Sequence, residues 1–107
     1  MIEKLEALLA SGQDGASLRF ALANRYFRQN DFVRAIEHAQ VAVLQEPDYS
    51  AAWRLLGQAQ VAAGQAAEAA TSFERGIAVA KQTGDRQVEK EMQVFLRRLQ
   101  KADSDQA

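Results

Sequence analysis

The sequence predicts an all-α fold: about six helices in antiparallel pairs, stacked as a helical repeat into a right-handed superhelix. Two observations give the class. Ala, Leu, Gln, Glu and Arg dominate a chain of 107 residues that holds a single proline, and these are the residues that lose least on entering a helix. No stretch sustains the period-two alternation of a half-buried strand. A third observation, evenly spaced helix breakers, gives the organisation.

Those breaks fall at "SGQDG" (Ser11 to Gly15), "QND" (Gln29 to Asp31), "EPD" (Glu46 to Asp48), "AGQ" (Ala63 to Gln65) and "TGD" (Thr83 to Asp85). Each supplies Gly, Pro, Asn or Asp where a helix stops or starts. The helices between them run from Ile2 to Ala10, Ser17 to Arg28, Phe32 to Gln45, Ser50 to Ala62, Ala66 to Lys81 and Arg86 to Lys101. Asp31, Asp48 and Asp85 stand where a carboxylate can accept from the open amides of a first turn, so each is an expected N-cap. Ile2, Leu5, Leu8 and Leu9 make an apolar stripe on the first helix, and Val88, Met92, Phe95 and Leu99 make another on the last.

Sliding the chain against itself by 34 residues places Leu22 on Leu56, Ala23 on Gly57, Asn30 on Gly64, Ala35 on Ala69, Ala39 on Phe73 and Ala42 on Gly76. Apart from Leu22 on Leu56 and Ala39 on Phe73, small falls on small, and breaks fall on breaks. Two antiparallel helices joined by about three residues must cross closely, and their separation depends on the side chains at the contact. Ala23 is therefore expected to face Ala35, and Gly57 to face Ala69.

The chain resembles the tetratricopeptide repeat (TPR) family, whose 34-residue units follow a W-x2-L-G-x2-Y, A-x3-F, P pattern. The second unit shows Trp53, Leu56, Gly57, Gly64, Ala69, Phe73 and Gly76, and the first shows Leu22, Ala23, Tyr26, Phe32, Ala35, Ala39, Ala42 and Pro47. Arg19 stands where the first unit would have Trp, Gln60 replaces the second Tyr, and Lys81 replaces the second Pro. The resemblance implies one domain over 1–107, small and bacterial in type. It divides into a capping helix at 1–12, units at 16–49 and 50–83, a second capping helix at 85–101 and a frayed tail at 102–107. Two units alone do not bury their apolar faces, because such stacks need about three, and the terminal helices are expected to close the open ends.

Little in the sequence points to chemistry. Thirteen basic residues balance fourteen acidic ones, leaving a net charge of −1 with no long block of either sign, so neither nucleic acid nor an anionic membrane is an expected partner. Cysteine is absent, which removes disulfides, thiolate metal sites and thiol catalysis. The only histidine, His38, lacks a second histidine or a cysteine to complete a metal site or nucleophile, and is expected to be solvated or partly packed. Neither G-x-x-x-x-G-K-[ST] nor G-x-G-x-x-G occurs. We therefore expect no catalysis, metal or cofactor. The first residues are apolar but broken by Glu3, Lys4 and Glu6, unlike a secretory signal, and no run of about 18 apolar residues could span a bilayer. The expected setting is cytoplasmic.

Members of the TPR family mostly act as protein-interaction scaffolds, lining the concave side of the stack with the first helix of each pair. Carried onto this chain, the resemblance implies a peptide-binding surface of Phe20, Asn24 and Phe27 from the first unit and Arg54, Gln58 and Val61 from the second, with Val88 or Met92 added by the last helix. The alternative for Phe20 and Phe27 is packing beneath the first helix. Chaperone-binding members grip a C-terminal carboxylate with Lys or Arg and Asn over three such helices. Here Asn24 fits, but Phe20, Leu55, Val88 and Met92 occupy the other positions, so that mode is not expected. The partner is thus a peptide or helix of another protein, bound by a monomer or weak homo-oligomer. The alternative is a self-associating subunit that uses a capping helix or a convex patch such as Val41 and Leu44.

Overall fold

The computed structural model describes residues 1–106. Its helices are α1 (Ile2–Ala10), α2 (Ala16–Arg28), α3 (Phe32–Gln45), α4 (Ser50–Ala62), α5 (Ala66–Thr83) and α6 (Arg86–Gln106). Each packs on the next, and α1 touches α2 alone. The result is an elongated body of 47 × 29 × 18 Å. Among the described residues α2 meets α4 and α4 meets α6, whereas α3 and α5 do not meet. The stack therefore closes on the α2/α4/α6 side, its inner face, and opens on the α3/α5 side.

The ends of the helices follow from local chemistry. Asn30 and Gly64 adopt the left-handed conformation, with φ of 62° and 79°. This turns the chain so that the amides of Asp31 and Gln65 reach back to the carbonyls of Tyr26 and Gln60 at 2.9 and 2.8 Å, satisfying acceptors that a helix end leaves open. Asp31 caps α3 as expected, its carboxylate accepting from the Arg34 amide at 3.2 Å. Asp48 does not cap: Tyr49 takes that position before α4, with no side-chain cap bond. The Asp85 carboxylate instead accepts from the Ser50 hydroxyl at 2.8 Å, joining the starts of α4 and α6.

α5 runs two residues beyond Lys81, and α6 runs on through 102–106, where fraying was expected. No glycine or proline in "ADSDQ" interrupts the backbone ladder; Ala107 lies outside the described residues. The longer α5 stretches the repeat, from 34 residues between Ala16 and Ser50 to 36 between Ser50 and Arg86.

The core is a row of alanines with a few large side chains set into it. Ala23, Ala35, Ala39, Ala42, Ala52, Ala59, Ala69 and Ala80 are fully buried, and Phe73, Leu22 and Met92 are the largest side chains wholly removed from water. The side chain nearest Gly57 is Phe73 rather than the expected Ala69. A Cβ built on Gly57 would lie 2.3 Å from Cε1 of Phe73, so the glycine leaves the space that the ring fills. Gly76 does the same for α6, where a Cβ would meet Sδ of Met92 at 2.4 Å and Cβ of Trp53 at 2.8 Å.

Two of the departures from the repeat pattern, Arg19 and Gln60, are explained by hydrogen bonds. Trp53 donates from its indole to the Pro47 carbonyl at 2.8 Å. At the equivalent place one unit earlier, Arg19 reaches back to its own preceding loop and grips both oxygens of Asp14 at 2.8 Å. Gln60, in place of the second tyrosine, accepts from the buried Ser72 hydroxyl at 2.6 Å. Tyr26 donates to Glu6 on α1 at 2.8 Å.

His38 is buried rather than solvated. Its ring stacks on Tyr26, with centroids 5.5 Å apart and planes 2° from parallel, and its Nδ1 lies 3.1 Å from Nη1 of Arg19. A guanidinium only donates, so Nδ1 accepts and the proton sits on Nε2. Burial, aided by the Arg19 charge and opposed by Glu6, holds the imidazole pKa below its ordinary value. Hydrogen bonds from Arg19 and then Gln45 hold Asp14 well below the usual carboxylate range.

Both groups therefore bind protons more readily in the unfolded chain, and both contribute stability that is lost as pH falls. Stability is expected to be level between about pH 7 and 9, to decline as pH drops through about 6.5, the unfolded imidazole value, and to decline again below about 4, where Asp14 protonates in the unfolded chain. Urea midpoints at a series of pH values check this. In His38→Gln the first decline should disappear and the second remain; if the first persists unchanged, it does not belong to His38.

Candidate functional site

The inner face is presented by α2, α4 and α6. On α2, Phe20, Asn24 and Phe27 recur at the spacing of one helical face, and all three are half-buried. Neither phenylalanine finds its ring partner on α1. Phe20 packs on Tyr49 just before α4, with centroids 5.1 Å apart, and Phe27 packs edge-on to Phe32 at the start of α3, at 5.5 Å. Asn24 lies between them and makes no side-chain hydrogen bond with any described residue.

On α4, Arg54, Gln58 and Val61 occupy the equivalent face, and their surroundings differ from one end to the other. Arg54 is already engaged: its guanidinium holds Glu91 of α6 at 2.8 Å, with both side chains partly exposed. Gln58 and Val61 instead line a notch of about 300 Å³ with Phe95, Arg98 and Leu99 of α6, backed by Phe73 of α5. Val61 is 44% exposed, and the Phe95 ring leans on Phe73 with centroids 5.5 Å apart. Arg98 makes no ion pair with any described residue. Val88 and Met92, the expected contribution of the last helix, are buried in the core instead, Met92 completely. Glu91, Phe95, Arg98 and Leu99 take their place.

The arrangement suits recognition. The notch offers apolar walls with an amide and a free guanidinium at its rim, which can hold an apolar side chain beside a carboxylate. Among the described residues no group of three or more His, Asp or Glu side chains could hold a metal ion, and no helix is long and apolar enough to cross a membrane.

A family profile described as "Tetratricopeptide repeat" matches residues 2–46 and again residues 20–85. The chain belongs to the tetratricopeptide repeat family. It is 53% identical over 102 residues to a TPR repeat-containing protein of Pseudomonas aeruginosa, covering 95% of this chain and 97% of that one. Its fold is similar to the solution structure of a Bordetella parapertussis protein, with 43% identity, a TM-score of 0.84, and 97% and 90% of the two chains covered. A TPR domain protein from Salinibacter ruber shares the fold at 23% identity, with a TM-score of 0.76 over 81% of this chain and 97% of that one. TPR repeats are generally protein-interaction modules. In this TPR chain the helices before and after the two central pairs supply the end faces, and α6 also supplies one wall of the notch.

Proposed function

We propose that the protein is a non-catalytic binding module that holds a peptide or helix of another protein along the inner face of its TPR stack. The observation that carries this reading is the notch bounded by Gln58, Val61, Phe95 and Leu99, open to solvent and edged by the unpaired Arg98. The segment it suits presents an apolar side chain to the notch and an acidic group to Arg98. Asn24, with its free amide between Phe20 and Phe27, is placed to pair with the backbone of the same segment. Arg54 contributes less than a free arginine would, because an incoming carboxylate has to displace Glu91.

Selection from a displayed peptide library tests the reading. Wild-type protein should enrich sequences in which a large apolar residue stands near Asp or Glu. Val61→Asp and Arg98→Glu should each weaken the selected peptides at least tenfold, about 1.4 kcal/mol, while leaving the melting temperature nearly unchanged because both side chains are exposed. If neither substitution affects binding, the inner-face assignment is wrong.

A further inference from the structure

A second surface lies on the opposite side. Because α3 and α5 do not meet, a groove of about 630 Å³ opens between them, floored by Trp53 and Leu56 of α4 and edged by Val43 and Leu44 on one rim and Glu68 and Arg75 on the other. Leu44 stands 79% exposed at that rim, and an apolar side chain so placed gains nothing from the fold of its own chain.

The α5 rim has a particular order of charge. Glu68 and Arg75 are seven residues apart on one face, a separation of about 10 Å along the helix, with Thr71 between them. Neither forms an ion pair with any described residue. Read in the opposite direction, this pattern is its own complement. When two such helices run antiparallel about a two-fold axis near Thr71, each Glu68 meets an Arg75, twice over. That is the defining property of an isologous contact, and a foreign partner would not require it.

We propose that this outer groove is a two-fold interface between two copies of the chain, each α5 lying in the groove of the other. The small residues on the exposed side of α5, Ala67, Thr71 and Ala78, let the helices approach, and Leu44 is then buried against the second copy. Apolar burial supplies the association, while the paired charges set register, since exposed ion pairs contribute little by themselves. The inner faces stay free and point away from one another, so the dimer presents two binding grooves.

Sedimentation equilibrium with charge-reversed variants tests the proposal. Wild-type protein should show a concentration-dependent dimer, and Leu44→Glu should be a monomer. Glu68→Arg places arginine opposite arginine and Arg75→Glu places glutamate opposite glutamate, so each alone should weaken the dimer at least tenfold. An equal mixture of these two single variants should dimerise again, because each chain then meets its complement. A wild-type protein that stays monomeric up to about 1 mM overturns the proposal. So does a dimer indifferent to the reversals, or a mixture that does not re-associate.

Discussion

Gly57→Ala is expected to destabilise the protein by about 2 kcal/mol, although alanine is the better helix former by about 1 kcal/mol. The added methyl would sit 2.3, 2.6 and 2.7 Å from Cε1, Cδ1 and Cζ of Phe73, well inside contact distance. The ring has nowhere to retreat: Phe73 is fully buried and leans on Phe95 of α6. Relief then requires α4 and α5 to separate or α6 to shift, and such overpacking costs typically 1–3 kcal/mol and sometimes more. Gly57→Leu should exceed 4 kcal/mol, in the range reserved for broken cores. Gly76→Ala should cost a similar amount, because its new methyl would meet Cβ of Trp53 at 2.8 Å as well as Sδ of Met92, and a Cβ fixed to its helix cannot swing aside as a thioether can. For a domain of this size the alanine change at Gly57 corresponds to a fall in melting temperature of about 10 °C. Trimming the ring in Gly57→Ala/Phe73→Leu should recover part of the loss, a coupling that a double-mutant cycle measures. A Gly57→Ala protein as stable as wild type would show that helix preference, not the crossing, governs this position.

Gly57 also marks how far the sequence could be read. Its pairing with Ala23 across 34 residues, and that of Asn30 with Gly64, identified the repeat because turns and helix crossings recur wherever the same local geometry recurs. The identity of its neighbour was not legible, since Ala69 and Phe73 lie one turn apart on the same face of α5 and only the packed structure decides which reaches the glycine.

The inner face divides in the same way. Gln58 and Val61 line the notch, and they belong to a unit whose register the repeat defines. Val88 and Met92 were misplaced because the repeat lengthens to 36 residues across α5, so the 34-residue register no longer fixes which edge of the apolar stripe on α6 meets the core. Met92 and Val88 lie on the core edge of that stripe, and Phe95, Arg98 and Glu91, less than a third of a turn round the helix, lie on the groove edge. The Asp14–Arg19–His38 chain was invisible for a different reason: it joins a loop, α2 and α3, and its second link spans the 19 residues from Arg19 to His38. The one available sign was an arginine where the repeat calls for tryptophan.

The two terminal helices should differ sharply in what their removal does. A chain ending at Asp85 loses Met92 and Val88 from the core, together with the half-buried Phe95, Leu96 and Leu99, and exposes Phe73 and the face around Gly76. Large apolar side chains contribute about 1.5–3 kcal/mol each when fully buried, so the loss is comparable to the entire stability of an ordinary domain, about 5–15 kcal/mol. Such a chain is expected to lose cooperative unfolding, retaining helical circular dichroism without a sharp melting transition. Deleting residues 1–12 is a smaller insult. No residue of α1 is fully buried, and it is held by the half-buried Ile2, Leu5 and Leu9 and by the bond from Tyr26 to Glu6. That protein should still melt cooperatively, at a temperature lowered by an amount that corresponds to about 2–4 kcal/mol. Equal behaviour of the two truncations would mean that both ends of the stack are closed by the same kind of contact. The asymmetry expected here follows from α6 being part of the core and a wall of the notch together, whereas α1 only covers the surface of α2.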